Sequence, residues 1–158
     1  MAMRIKLLVG TMTGTAELVA QEVQQTLQND GHDAEVLMMD AVGVDVFARG
    51  GVFIVCTSTH GYGDIPDNAV EFFENLERRR PRLDSVTYGV IALGDGTYGE
   101  NFCKAGDRFD ELLSKLGARR AGKPLRHDAN SGDVPEEVAT QWVTQWVKDD
   151  LGPAGGAA

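Results

Sequence analysis

A chain of 158 residues supports one compact domain with a real core and is too short for two comfortable ones. Hydrophobic residues make up 42% and charged residues 25%, which speaks against a disordered chain. A net charge of -9 removes the basic footprint that nucleic-acid binding requires, and suits a surface that steers toward basic partner faces.

Along the chain, apolar runs alternate with helical patterns. Ile5 to Val9 forms a short apolar strand. Ala16, Val19, Ala20, Val23 and Leu27 recur at helical spacing until Asn29-Asp30-Gly31 stops the helix. Ala34 to Met39 predicts a second strand, and 40–50 an irregular stretch with room for one helical turn. Val52 to Cys56 is a continuous apolar run, as a strand buried on both faces should be. Val70, Phe73 and Leu76 mark a helix ending before Pro81, and Tyr88 to Leu93 a fourth buried strand. Phe109, Leu112, Leu113 and Leu116 give a helix closed by Gly117. Residues 119–126 predict a weaker fifth strand, and Val138, Trp142 and Trp146 place an apolar stripe on a last helix. Such alternation implies parallel pairing, right-handed crossovers and a sheet covered by helices on both sides. Residues 1–150 therefore read as one α/β domain, and 151–158 as a flexible tail.

The two cysteines, Cys56 and Cys103, form no disulfide framework, and no clustered Cys/His spacing suggests zinc. Cys56 reads as a buried core thiol, and His32 and His127 as solvent-exposed. No stretch approaches the length of a membrane span. The opening MAMRIKLLVG lacks signal-peptide form, because its apolar part runs straight into a glycine-threonine loop. A cytoplasmic location and a monomer are the expectations.

In sheets of this kind the ligand sits beyond the carboxyl ends of the strands, where the strand order switches. Three loops there carry unusual residues. The first, GTMTGTAE at 10–17, offers the hydroxyls of Thr11, Thr13 and Thr15 and the backbone N–H groups of a helix start, which suit a phosphate. Gly14 lets the backbone turn closely. The loop has neither the Lys-Ser/Thr ending of a triphosphate-binding loop nor the Gly-x-Gly-x-x-Gly of a dinucleotide fingerprint, and no lysine or arginine at all. The competing reading is simple helix capping by threonine. The second loop, STHGYGDIPDNA at 58–69, interleaves Gly61 and Gly63 with the rings of His60 and Tyr62. Asp67 or Asn68 is placed to cap the helix that follows. The third, LGDGTYGENFCKAG at 93–106, sets Tyr98 in a glycine-rich stretch with little core to join, where a planar ligand can stack.

TMTGTAE, STHGYGDIPDNA and LGDGTYGENFC together resemble the phosphate loop and the two ring-binding loops of the flavodoxin family. The resemblance spans about residues 4–148 and is strongest toward the MioC-type short flavodoxins and the FMN domains of diflavin reductases. It implies a three-layer fold with a five-stranded parallel sheet in the order 2-1-3-4-5, for which flavodoxin is itself a reference example. It also implies an FMN-binding electron carrier. Thr11, Met12, Thr13, Gly14, Thr15 and Ala16 would wrap the phosphate. Ser58, Thr59, His60, Gly61 and Tyr62 would border one side of the ring. Leu93, Gly94, Asp95, Tyr98, Gly99, Asn101, Phe102 and Cys103 would border the other, with Tyr98 stacking. Relatives often carry an aromatic where His60 stands, so imidazole or Tyr62 takes that face here. The implied donor is an NADPH-dependent flavin reductase and the acceptor a redox enzyme, met through the acidic face.

A flavin does the electron chemistry, so no catalytic acid, base or nucleophile of the chain itself is expected. Asp64, Asp67, Glu71, Asp95 and Glu100 near the mouth disfavour an anionic reduced flavin. Gly61 is placed to turn a backbone carbonyl toward the ring cheaply. A phospho-receiver domain shares this layout but needs acidic residues after the first strand and an aspartate ending the third. Gly10-Thr11 and Thr57-Ser58 stand there instead. A flavin-binding interaction module, or the FMN subunit of a multi-component reductase, uses the same loops and stays open at this level.

Overall fold

A computed structural model describes residues 3–59, 63–96, 99 and 102–151. Its strands are β1 (Arg4–Gly10), β2 (Asp33–Met38), β3 (Gly51–Thr57), β4 (Val86–Gly94), β5 (Arg119–Arg120) and β6 (Leu125–Asp128). Its helices are α1 (Thr15–Asn29), α2 (Asp67–Arg79), α3 (Lys104–Lys115) and α4 (Pro135–Gln145). The strands pair in parallel in the order β2-β1-β3-β4-β5, with β6 also alongside β4. The implied 2-1-3-4-5 sheet is therefore present.

Alternation along the central strands sorts the core into two layers. Ile5, Leu7, Val9, Ile54, Cys56, Ile91 and Leu93 face α1 and α4. Leu8, Phe53, Val55, Tyr88, Val90 and Ala92 face α2, α3 and the two 3-10 turns at Met39–Ala41 and Val44–Phe47. The central strands are buried on both faces, which explains their continuous apolar sequence.

Three expectations need correction. The edge strand expected over 119–126 is broken: β5 pairs Thr87 with Arg119 and Tyr88 with Arg120, then β6 resumes by pairing Ile91 with Leu125. Between them Gly122 takes φ 66 and Pro124 has no N–H to give a ladder. On α2, Val70 is 37% exposed, and the buried residues are Ala69, Phe72, Phe73 and Leu76. On α4 and the wider π-type turn after it, Ala139, Val143, Trp146 and Leu151 are buried while Val138 is only half-buried.

The connections that follow β1, β3 and β4 leave from one end of the sheet. Gly10 lies in register with Thr57, and Thr57 with Ala92, so β1, β3 and β4 finish side by side.

Candidate functional site

The first loop makes its turn with its own residues. The Gly14 N–H donates to Thr11 Oγ1 at 2.9 Å, and Gly14 adopts φ 94, a conformation that favours glycine. Helix α1 then starts at Thr15 without a side-chain cap, which removes the capping explanation for these threonines. The Leu18 N–H donates to the Gly14 carbonyl at 3.1 Å, so the N–H groups of Thr15, Ala16 and Glu17 are the donors that a helix leaves over in its first turn. They sit at the positive end of the helix dipole, with the Thr13 and Thr15 hydroxyls 3.5 Å apart beside them. Met12 is 39% exposed and its Sδ accepts from the Asp67 N–H at 3.2 Å. Ala16 is fully buried and can offer only its backbone.

Ser58 follows β3 and leans on the first loop: its N–H donates to the Gly10 carbonyl at 3.0 Å. Its hydroxyl is buried yet has no hydrogen-bond partner among the described residues. Such an orphan in the interior is costly to leave unsatisfied. Thr59 Oγ1 accepts from the Ala105 N–H at 3.2 Å, fastening this loop to the first turn of α3. His60, Gly61 and Tyr62 lie outside the described residues.

In the third loop, Leu93 is buried and Gly94 has no room for a side chain, because a Cβ there would come within 2.7 Å of the Cys103 N atom. Asp95 accepts a hydrogen bond from Asn130 Nδ2. Gly99 takes φ 58, and its carbonyl accepts from the Phe102 N–H at 3.0 Å. The Arg126 guanidinium lies 5.5 Å from the Phe102 ring centre, donates to the Phe102 carbonyl at 3.0 Å and pairs with Asp107. Cys103 is fully buried, with its Sγ 3.4 Å from the Ala92 carbonyl and 3.8 Å from that of His127. Burial pushes its thiol up to about 12. Tyr98, Glu100 and Asn101 lie outside the described residues.

Other residues at this end were not singled out from the sequence. Asn68 does not cap α2, which has Pro66 at its N-cap position and no side-chain cap from Asp67 or Asn68. Instead its amide bonds the Thr11 N–H at 2.7 Å and the Val9 carbonyl at 3.1 Å. Asp128, ending β6, accepts from the N–H groups of Gly96 at 2.8 Å and Asn130 at 2.9 Å. Those two bonds hold its carboxyl below the usual range. His127 is 7% exposed rather than solvent-facing, and its Nε2 lies 3.1 Å from the Asp133 carbonyl. His32 is half-buried and accepts from the Met3 N–H at 3.0 Å. The expectation of two solvated histidines is therefore corrected, both rings being held by backbone.

A cavity of about 240 Å³ opens between Thr15, Leu93, Gly94, His127 and Pro135, joining the α1 start to the ends of β4 and β6. A larger groove of about 620 Å³ lies elsewhere, between α1 and α4, and is lined by threonine, glutamine, lysine and aspartate side chains. It is shallow and lies away from the strand ends. Among the described residues no group of His, Cys, Asp and Glu could hold a metal ion, and no helix is long and apolar enough to cross a membrane.

Comparison with known proteins agrees with this geometry. The flavodoxin family profile matches residues 7–142. Protein MioC of Escherichia coli strain K12 is 35% identical over 143 residues, covering 90% of this chain and 95% of MioC. The sulfite reductase [NADPH] flavoprotein alpha-component of Bacillus subtilis is 33% identical over 155 residues, which are 98% of this chain and 25% of that one. A cysteine-to-alanine mutant of flavodoxin from Pseudomonas aeruginosa superposes with a TM-score of 0.81 at 34% identity, covering 91% of this chain and 96% of that structure. With the family profile matched over most of its length and the strand order of the flavodoxin fold, the chain belongs to the flavodoxin family of FMN-binding electron-transfer proteins.

Proposed function

We propose that the three loops hold FMN as a one-molecule electron store, loaded by an NADPH-dependent flavin reductase and unloaded by an acceptor redox enzyme. The observation that carries this reading is the presence of uncapped α1 N–H donors and of a buried Ser58 hydroxyl that has no partner among the described residues. An ester phosphate supplies acceptor oxygens for the former, and the adjoining ribityl chain supplies a hydroxyl for the latter. The donor set contains no cation, so it holds the dianion by directed hydrogen bonds and the helix dipole.

The flavin supplies the redox chemistry when bound, and the chain's own groups bind, orient and tune it. Thr11 to Ala16 take the phosphate. Ser58 to Gly61 border one edge of the ring, with His60 or Tyr62 on that face. Leu93 to Asp95 and Tyr98 to Phe102 border the other, with Tyr98 stacked. Cys103 contributes through its backbone, its thiol being engaged with two carbonyls.

Asp64, Asp67 and Glu71 are exposed beside the mouth and favour a basic docking face. The similarity to an NADPH-dependent sulfite reductase flavoprotein component supports a reductase as donor. A monomer working in the cytoplasm completes the proposal.

Purified protein should be yellow, and denaturation should release a flavin that chromatographs as FMN. NADPH with a flavodoxin reductase should bleach the blue absorbance. Colourless protein that stays so after incubation with FMN refutes the reading.

A further inference from the structure

β1 gives out at Gly10, and the residue after it is held by a side chain from a distant element. The Gly10 carbonyl accepts from Ser58 N–H and so faces β3. Successive carbonyls of a strand point to opposite edges, and the C=O and N–H of one trans peptide point apart. The Val9 carbonyl and the Thr11 N–H therefore face the other edge, where β2 has ended at Met38. There Asn68 takes over: Nδ2 donates to the Val9 carbonyl and Oδ1 accepts from the Thr11 N–H. One carboxamide copies the donor and acceptor of a neighbouring strand and adds a rung to the sheet. Its orientation follows from the chemistry, since a carbonyl needs a donor and an N–H an acceptor.

The attachment is broad. Asn68 stands in the first turn of α2, and the next residue, Ala69, lies so close to Gly10 that a Cβ built on Gly10 would come within 3.1 Å of the Ala69 Cβ. Asp67 N–H bonds Met12 Sδ on the other side. Residues 10–12 are thus fixed to α2 before the chain reaches the turn at Gly14. Thr11 in turn accepts the Gly14 N–H, so its position sets where the α1 donors aim.

We propose that Asn68 is a positioning residue for the FMN phosphate, fixing Thr11 so that the uncharged donors of the first loop converge. The proposal rests on the placement of the phosphate at residues 11–16. It requires that the cost of losing Asn68 fall on the phosphate end of the ligand, since the ring borders lie on the other loops. Riboflavin has the same ring and ribityl chain without the phosphate, and it separates this role from general support of the fold.

The test is quenching of flavin fluorescence on titrating apoprotein into FMN and into riboflavin, for the native chain, Asn68→Ala and Asn68→Asp. Asn68→Ala should raise the Kd for FMN about tenfold or more, the loss of two directed hydrogen bonds, and change that for riboflavin by no more than about twofold. Asn68→Asp keeps the shape and the acceptor, loses the donor and adds a charge near the dianion, so its FMN-to-riboflavin Kd ratio should rise at least as far. If Asn68→Ala fails to fold by far-UV circular dichroism, Asn68→Asp is read by the same ratio. A native chain that prefers FMN, with variants whose ratio is unchanged, overturns the role of Asn68 alone. A native chain without preference for FMN overturns the phosphate placement and this proposal with it.

Discussion

Gly10 leaves no room for a side chain at the mouth of the site. A Cβ there would stand 2.8 Å from Thr57 Oγ1 and 3.1 Å from the Ala69 Cβ, both fixed by buried elements. Gly10→Ala should therefore destabilise the protein by about 1–3 kcal/mol, as overpacking generally does, and weaken FMN by displacing Thr11. Urea unfolding of the apoprotein, set beside FMN titration, checks both effects. The turn of the first loop into α1 was legible because Gly14 takes the positive φ that favours glycine. Asn68 was not: its partners lie 57 and 59 residues away, and an asparagine at a helix start looks like a cap. His127 was missed for the same reason, since its burial comes from the Asp133 carbonyl, which only the turn after β6 brings near.

Among the elements, the strands declared themselves because burial on both faces leaves an unbroken apolar run. The edge strand did not, because Gly122 and Pro124 interrupt a segment whose two halves each still pair with β4. On α2, a three-residue spacing led from Phe73 back to Val70, while the buried arc runs through Ala69 and Phe72. Trp146 resolves as core and Trp142 packs half-buried against it: their rings stack at 5.4 Å, and Trp146 Nε1 donates to the Ala121 carbonyl at 2.8 Å. Gly89 of β4 makes the room, since a Cβ there would come within 2.8 Å of the Trp146 ring. Trp146→Ala should cost about 3–5 kcal/mol in chemical unfolding. Trp142→Ala should cost less, because that ring is only half-buried.

For the whole molecule, the buried acids set the alkaline limit. Burial pushes Cys56 and Cys103 up from 9.0 to about 12. Tyr88 is raised by burial and then by the Asp110 carboxylate, 2.6 Å from its hydroxyl. Each stays neutral when folded and ionises once unfolded. The contribution of the two thiols is therefore complete below their unfolded value of 9.0 and drains as pH rises toward about 12, and that of Tyr88 drains above its own unfolded value of 10.0. The urea midpoint should hold steady through neutral pH and fall above about pH 9. Asp128 has the opposite sign: its depressed pKa gives stability above the ordinary carboxylate range that is lost on acidification. The net charge of -9 predicts a second global behaviour. Electron transfer with a basic reductase should slow by roughly tenfold or more as salt shrinks the Debye length from about 30 Å to a few ångströms, and stopped-flow reduction measures it.

The fastenings of Thr11 to Asn68, Ser58 to Gly10, Thr59 to Ala105, Gly96 to Asp128 and Ala129 to Gly94 all run from protein to protein. They stitch the exits of β1, β3, β4 and β6 into one hem. The entropy of shaping the described part of that rim is therefore settled during folding. If these loops hold FMN as proposed, that part of the socket should give up its flavin and take it back without refolding around it.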